Sequence, residues 1–226
     1  MTQPRISIVL PVLNEAQHIE STLTELAPLR RRSVEVIMVD GGSDDDTVAR
    51  GAGLADVVIQ TPRGRALQMN AGAAVARGKV LLFLHADTLL PLEADRFVHQ
   101  ALASGGLWGR FDVRIIGRHP ILVAVAALMN WRSRLTGIAT GDQALFMWRK
   151  TFEDVGGFPD QPLMEDIEIC RRLKALAAPV CLAQRVATSG RRWESRGVWR
   201  TIVLMWWLRW RYWRGESAQR LAKAYW

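Results

Sequence analysis

Short apolar runs alternate with longer mixed stretches through the first hundred positions. Ile6–Leu10, Val34–Val39, Val57–Ile59 and Val80–Leu84 are strand-length and mostly β-branched or leucine-rich. Between them, Glu15–Leu29, Ser43–Gly51 and Arg65–Arg77 suit helices. Continuous apolar strands separated by helices predict an α/β fold, a mostly parallel sheet covered on both faces. After Pro91 the pattern loosens. Leu92–Ala103 reads as a helix, Trp108–Ile116 as a strand, Ile121–Arg134 as a buried helix and Ala144–Trp148 as a strand. Asp166–Ala177 then suits a helix and Val180–Ala187 a last strand. The expectation is one domain over 1–190 and a helical extension over 191–226.

In open α/β sheets, ligands bind beyond the carboxyl ends of the strands. Those ends here carry Pro11, Asn14 and Glu15, then Asp40-Gly41-Gly42-Ser43, then His85-Ala86-Asp87. Two glycines after Asp40 allow a sharp turn and a close ligand approach. Ser43 with Asp46 reads as a capping-box-like helix start. Residues two apart on extended backbone point the same way, so His85 and Asp87 converge on one ligand. A carboxylate supplemented by phosphate oxygens and water is how Mg²⁺ is usually held. Glu165 and Asp166 open a helix, where acids are also favoured by the macrodipole. Asp142, in Thr140-Gly141-Asp142-Gln143, precedes a strand and is read as lining the acceptor side.

Charge changes the picture when it is split along the chain. The 226 residues carry a net +8, yet residues 1–184 hold 20 Lys/Arg against 20 Asp/Glu. Residues 185–226 hold 10 Lys/Arg against 2 acids, with seven of the ten tryptophans. A neutral body thus carries a basic, Trp-rich tail. Two cysteines, Cys170 and Cys181, exclude a disulfide framework and a four-thiolate zinc site. The start, Met1–Arg5, shows no targeting pattern. The apolar run Ile121–Met129 has nine residues, against the roughly 20 that a membrane-spanning helix needs.

Five segments together resemble family-2 glycosyltransferases, inverting enzymes of the Rossmann-like GT-A fold. They are Ser7–Glu15, Val39–Thr47, Arg77-Gly78 before Val80–Asp87, Gly156-Gly157-Phe158, and Glu165-Asp166 with Arg171-Arg172-Leu173. The resemblance implies a nucleotide-sugar donor, a UDP-sugar first, and a divalent cation, Mg²⁺ or Mn²⁺. It implies a donor-nucleotide pocket at Pro11, Asn14, Glu15 and Asp40. Asp87 matches the aspartate that binds the metal, and Asp166 the general base on the acceptor hydroxyl. Arg65 and His85 are assigned to the donor side. Asp142, Glu165 and the cluster Arg191, Arg192 and Trp193 are assigned to the diphosphate and acceptor side. The chain departs from the pattern at Gly41, where a second aspartate is common, and at His85, in place of the first aspartate of the metal motif.

Arg196, Arg200, Arg211 and Arg214 cluster on one side of the tail in helical projection, beside a broad arc of Trp199, Ile202, Val203, Trp206, Trp210 and Trp213. Arg209 falls opposite the basic cluster. Trp with Arg favours the membrane–water interface. The expectation is therefore a peripheral enzyme at the cytoplasmic face, with a lipid or lipid-linked acceptor. Packing of the tail on the body or on a second subunit is the competing reading. Nucleic acid is set aside, because no RNA or DNA module is present and the body is neutral. The alternatives to a glycosyltransferase are a nucleotidyltransferase on a related sheet and a non-catalytic nucleotide-sugar or lipid-headgroup binding module.

Overall fold

The computed structural model describes residues 6–225. The lead-in Met1–Arg5 and Trp226 of the tail lie outside the described residues. The chain forms β1 (Ile6–Val12), α1 (Ile19–Arg30), β2 (Glu35–Asp40), α2 (Thr47–Gly51), β3 (Val57–Gln60), α3 (Arg65–Val75) and β4 (Val80–Phe83). It continues with β5 (Thr88–Leu89), α4 (Ala94–Ala103), β6 (Trp108–Ile116), α5 (Ile121–Thr136), β7 (Phe146–Trp148), α6 (Arg149–Asp154), α7 (Glu165–Leu176) and β8 (Val180–Ser189). Three tail helices follow: α8 (Arg191–Arg196), α9 (Val198–Trp213) and α10 (Ala218–Tyr225).

The strands make one sheet in the order β3-β2-β1-β4-β7-β6-β8-β5. The first four are parallel, as the continuous apolar runs require. Beyond β4 the sheet turns mixed: β7 is antiparallel to β4 and β6, while β8 is parallel to β6. Alternating side chains serve two cores. Ile8 and Leu10 pack on the α1, α4 and α5 face. Val9, with Ile37 and Leu81, packs on the α3, α6 and α7 face. Burying both faces of so many strands is the main stabilising term.

The segment Ser7–Glu15 and the Arg77-Gly78 pair turn out to hold strands together. Ser7 Oγ donates to Glu35 Oε2 at 2.5 Å and accepts from the Gly78 amide at 2.8 Å. Arg77 reaches the other Glu35 oxygen at 2.5 Å. Glu35 is fully buried, and burial pushes its carboxyl up. The Ser7 and Arg77 hydrogen bonds and the Arg77 charge outweigh that and hold it below its usual 4.5.

The tail is packed on the body. Leu208 of α9 and Leu221, Ala222 and Tyr225 of α10 form a cluster with Leu163 and Met164, the residues just before α7. No helix among the described residues is long and apolar enough to cross a membrane. Both cysteines are free thiols.

Candidate active site

The loops after β1 and β2 are laced together. Asn14, at φ +54°, donates its amide to Ser43 Oγ at 2.9 Å and accepts from the Asp44 amide at 2.9 Å. The Glu15 amide donates to Thr47 Oγ1 at 2.8 Å. Ser43 does not cap α2, as its spacing from Asp46 suggested. Its hydroxyl donates to Asp40 Oδ1 at 2.5 Å, while α2 begins at Thr47. Asp40 is fully buried and also accepts from the amides of Gly42 and Ser43. Its carboxylate thus holds the loop that lines the expected donor-nucleotide pocket. Pro11 is half-buried near the end of β1.

The departure at Gly41 has a steric partner that the sequence did not reveal. A Cβ at position 41 would lie 2.9 Å from the amide carbon of Gln68. Gln68, buried on α3, donates its amide nitrogen to the carbonyls of Val12 and Val39, each at 2.8 Å. Gln68 thus closes the carboxyl ends of β1 and β2 and occupies the space a side chain at 41 would need.

His85, Asp87 and Asp142 converge, each offering a ligand atom within 4.8 Å of the others. Asp87 is not a helix cap, since α4 begins only at Ala94. His85 Nδ1 lies 3.1 Å from Asp142 Oδ1. Burial raises the Asp142 carboxyl, but the His85 hydrogen bond and the charges of His85, Arg65 and Arg192 hold it below the usual range. One imidazole and two carboxylates make a donor set that suits Mn²⁺ or Mg²⁺, completed by phosphate oxygens and water. His85 and Asp142 thus stand beside Asp87 in one group that could hold a cation.

Gly141 ties this group to Asp166. Its amide donates to Asp166 Oδ2 at 3.0 Å, and its Cα lies so close to the His85 ring that a Cβ would overlap it. Asp166 Oδ1 accepts from the Ile167 amide at 2.8 Å. A small cavity is lined by His85, Gly141, Glu165, Asp166 and Phe158. The glycine loop before α7 is clamped from α3. Asn70 exchanges two hydrogen bonds with the Phe158 backbone, at 2.8 and 2.9 Å, and Phe158 stacks edge-on against Phe83 at 4.8 Å.

Arg65 reaches Glu165 at 3.3 Å and feels the charges of Asp142 and Asp166. Burial and Asp166 push the Glu165 carboxyl up, against the pull of Arg65. The cluster 191–193 is divided. Arg191 pairs with Glu15 at 3.4 Å. Arg192 bonds the Tyr225 hydroxyl and lends its charge to Asp142. Trp193 is partly buried and packs against the apolar core.

Two arginines that sequence reasoning did not assign to the site feel the charge of Asp166: Arg132 of α5 and Arg209 of α9, the latter that of Asp142 as well. Burial, then the nearby Arg209 charge, pull Arg132 down to about 10. The signal for Arg209 was present in its misfit with the basic face of the tail.

Residues 7–117 match the family model described as Glycosyl transferase family 2. Glucosyl-3-phosphoglycerate synthase of Mycobacterium tuberculosis is 35% identical over 98 residues, covering 38% of this chain and 30% of that protein. An uncharacterized glycosyltransferase of Mycobacterium tuberculosis is 28% identical over 194 residues, covering 79% of this chain and 72% of its own. The solved mannosyltransferase PcManGT from Pyrobaculum calidifontis, in complex with GDP-Man and Mn²⁺, aligns with TM-score 0.62 at 25% identity. That alignment covers 83% of this chain and 57% of PcManGT. The chain thus spans only part of the length of the synthase and of PcManGT.

Proposed function

From the family-2 glycosyltransferase domain that this chain carries over residues 7–117, we propose that the protein moves a sugar from a nucleotide-sugar donor to an acceptor hydroxyl with inversion. The observation that carries this reading is Gly141, whose amide bonds Asp166 and whose Cα meets the ring of His85, a member of the three-ligand group, with His85 and Asp166 lining one small cavity. His85, Asp87 and Asp142 would hold the cation. When bound there, Mg²⁺ or Mn²⁺ supplies Lewis-acid neutralisation of charge on a diphosphate leaving group. The laced β1 and β2 loops orient the nucleotide with no reorganisation of their own. Arg65 and Arg192 add positive charge beside Asp142. Asp166 accepts the proton of the acceptor hydroxyl while its oxygen bonds the anomeric carbon and the bond to the diphosphate breaks. Such general-base help is worth typically 10²–10⁴-fold. A UDP-sugar is the first donor to test, with a GDP-sugar next because PcManGT is solved with GDP-Man.

No acceptor needs to be known for the first experiment. Slow hydrolysis of α-linked UDP- and GDP-sugars with Mn²⁺, followed by NMR, puts water in the acceptor's place. The reading expects β-sugar as the first product anomer. Release of α-sugar would exclude inversion, and release of nucleoside monophosphate would point to different chemistry.

A second element is peripheral membrane contact at the cytoplasmic face. Leu208, Leu204 and Met205 of α9 pack inward, while Trp199, Trp206, Trp210 and Trp213 stay more than half exposed. Arg211 and Arg214 lie over the Trp207 and Trp210 rings at 4.6 and 5.1 Å. An outward Trp face with stacked cations suits lipid headgroups, each cation adding about 1 kcal/mol near anionic lipid. Co-sedimentation with phosphatidylserine vesicles at 0.15 M salt tests it. Binding should be lost in Trp206→Ala/Trp210→Ala, and equal binding by that variant contradicts the contact.

A further inference from the structure

The tail reaches the site at two places, and Tyr225 of α10 is common to both. One is α8. Its first residue, Arg191, pairs with Glu15 of the loop after β1 at 3.4 Å. The next, Arg192, donates Nη1 to the Tyr225 hydroxyl, and its guanidinium lies 5.4 Å from the centre of the Tyr225 ring. Arg196 lies 5.6 Å from the same ring and donates Nη1 to the Tyr225 carbonyl at 3.0 Å. Both distances suit a cation–π contact.

The other place is the segment before α7. Met164 immediately precedes Glu165 and Asp166 and sits at φ +64° and ψ +19°, the left-handed region that residues with a side chain rarely adopt. Such a conformation persists only where the surroundings enforce it. Here they are the tail. Met164 is buried with Leu163 in a cluster completed by Leu208, Leu221, Ala222 and Tyr225. Gln161, three residues earlier, meets the Tyr212 hydroxyl of α9 at 3.4 Å. Apolar packing alone would be met by a phenylalanine at 225. The hydroxyl, turned to Arg192, goes beyond what the cluster needs.

We propose that Tyr225 is a positioning residue for the transfer reaction: its hydroxyl fixes Arg192 at the diphosphate side, and its ring helps hold Met164 in the turn that delivers Asp166. The inference rests on the sugar-transfer reading and adds the means by which α10 completes that site. Fixing a long, rotamer-rich arginine in advance leaves less freedom to lose when the diphosphate arrives. Holding Met164 left-handed keeps the start of α7 aimed so that Asp166 Oδ2 meets the Gly141 amide at 3.0 Å. Tyr225 acts through these two neighbours and not on the reacting atoms.

The test compares wild type, Tyr225→Phe, Tyr225→Ala, Arg192→Gln and the double variant Arg192→Gln/Tyr225→Phe. Calorimetry with UDP and GDP in Mn²⁺ gives affinity, hydrolysis of the matching nucleotide-sugar gives kcat, and melting temperature is recorded for each. Tyr225→Phe should weaken diphosphate binding about threefold to tenfold, the net worth of one hydrogen bond. Arg192→Gln should weaken it about tenfold or more, as loss of a charged contact does. The double variant should bind no more weakly than Arg192→Gln alone, because the hydroxyl works only through that arginine. Tyr225→Ala should also lower kcat about tenfold or more, the effect of a displaced reacting group, and the ring of Tyr225→Phe should rescue it. A merely structural tyrosine would lower the melting temperature and leave affinity and kcat at wild-type values, which overturns the proposal. Independent losses that add in the double variant overturn it too. Tyr225→Phe keeps the ring and its packing, so it decides the matter even where Tyr225→Ala does not fold. Wild type that binds neither diphosphate with Mn²⁺ contradicts the sugar-transfer reading and this role with it. Wild-type binding alongside unchanged affinity in Tyr225→Phe contradicts only the role of Tyr225.

Discussion

The two walls of the site are built on opposite terms. On the donor side, Asp40, Ser43, Asn14 and Gln68 have their polar groups engaged with neighbouring backbone, and the loops after β1 and β2 are fastened before any ligand arrives. On the wall formed by α5, α7 and α9, Glu165 and Asp166 stand together, and Nη2 of Arg132 is shut off from solvent with no partner. The first wall gains rigidity from satisfied hydrogen bonds. The second stores unpaired charge, which costs stability and gives an incoming group something to bind. Binding on the donor side should therefore depend on structural integrity, and chemistry on the other wall on individual charges.

The largest effect expected is on the charged wall. Asp166→Asn should lower turnover about 10²–10⁴-fold while leaving metal-dependent nucleotide binding unchanged. Turnover and nucleotide affinity, measured on the same preparation, check both halves. Nucleotide binding lost along with turnover would mean that Asp166 holds the loop and is not the base.

The scaffold behind the donor wall gives the next effect. Glu35→Gln breaks a buried charge pair and should cost about 2–4 kcal/mol, below the full range for such pairs because Arg77 is mostly exposed. Glu35 is held below 4.5 in the folded protein, so its contribution is complete above pH 4.5 and disappears as pH falls through the folded value. Between pH 6 and pH 3, wild type should therefore lose more of its melting temperature than Glu35→Gln. Parallel curves would contradict this.

A smaller effect probes the fit between Gly41 and Gln68. Gly41→Asp should cost about 1–3 kcal/mol, as overpacking does. Adding Gln68→Ala should recover part of it, because the new side chain then has the space. Chemical denaturation of the two variants reads the difference, and purely additive losses would mean that the two positions do not compete.

What could be read in advance follows the same division. The parallel half was legible because each strand there is a mostly apolar run, and Trp108–Ile116 was legible to the residue from its alternation. The two-residue β5 and the helix Arg149–Asp154 were missed, since neither is long enough to show a period. Asp87 and Asp166 stood out as acids at element ends. The joining of Asp142 to His85 could not be read, because it depends on a three-residue turn of 3₁₀ helix, Gly141–Gln143, that brings position 142 back across the sheet. That Asp40 is bonded by its own loop and Trp193 packed on the core could not be read, because both depend on tertiary neighbours. Arg209 broke the tail's surface pattern by pointing inward.

The most direct test is a thermal-shift series of wild type and Asp87→Asn with UDP, GDP, dTDP, CDP, ATP and NAD, each with and without Mn²⁺. The account predicts stabilisation of wild type by one nucleoside diphosphate, dependent on Mn²⁺ and lost in Asp87→Asn. Equal, metal-independent shifts for every nucleotide, or the same shift in wild type and Asp87→Asn, would contradict a donor site built around His85, Asp87 and Asp142.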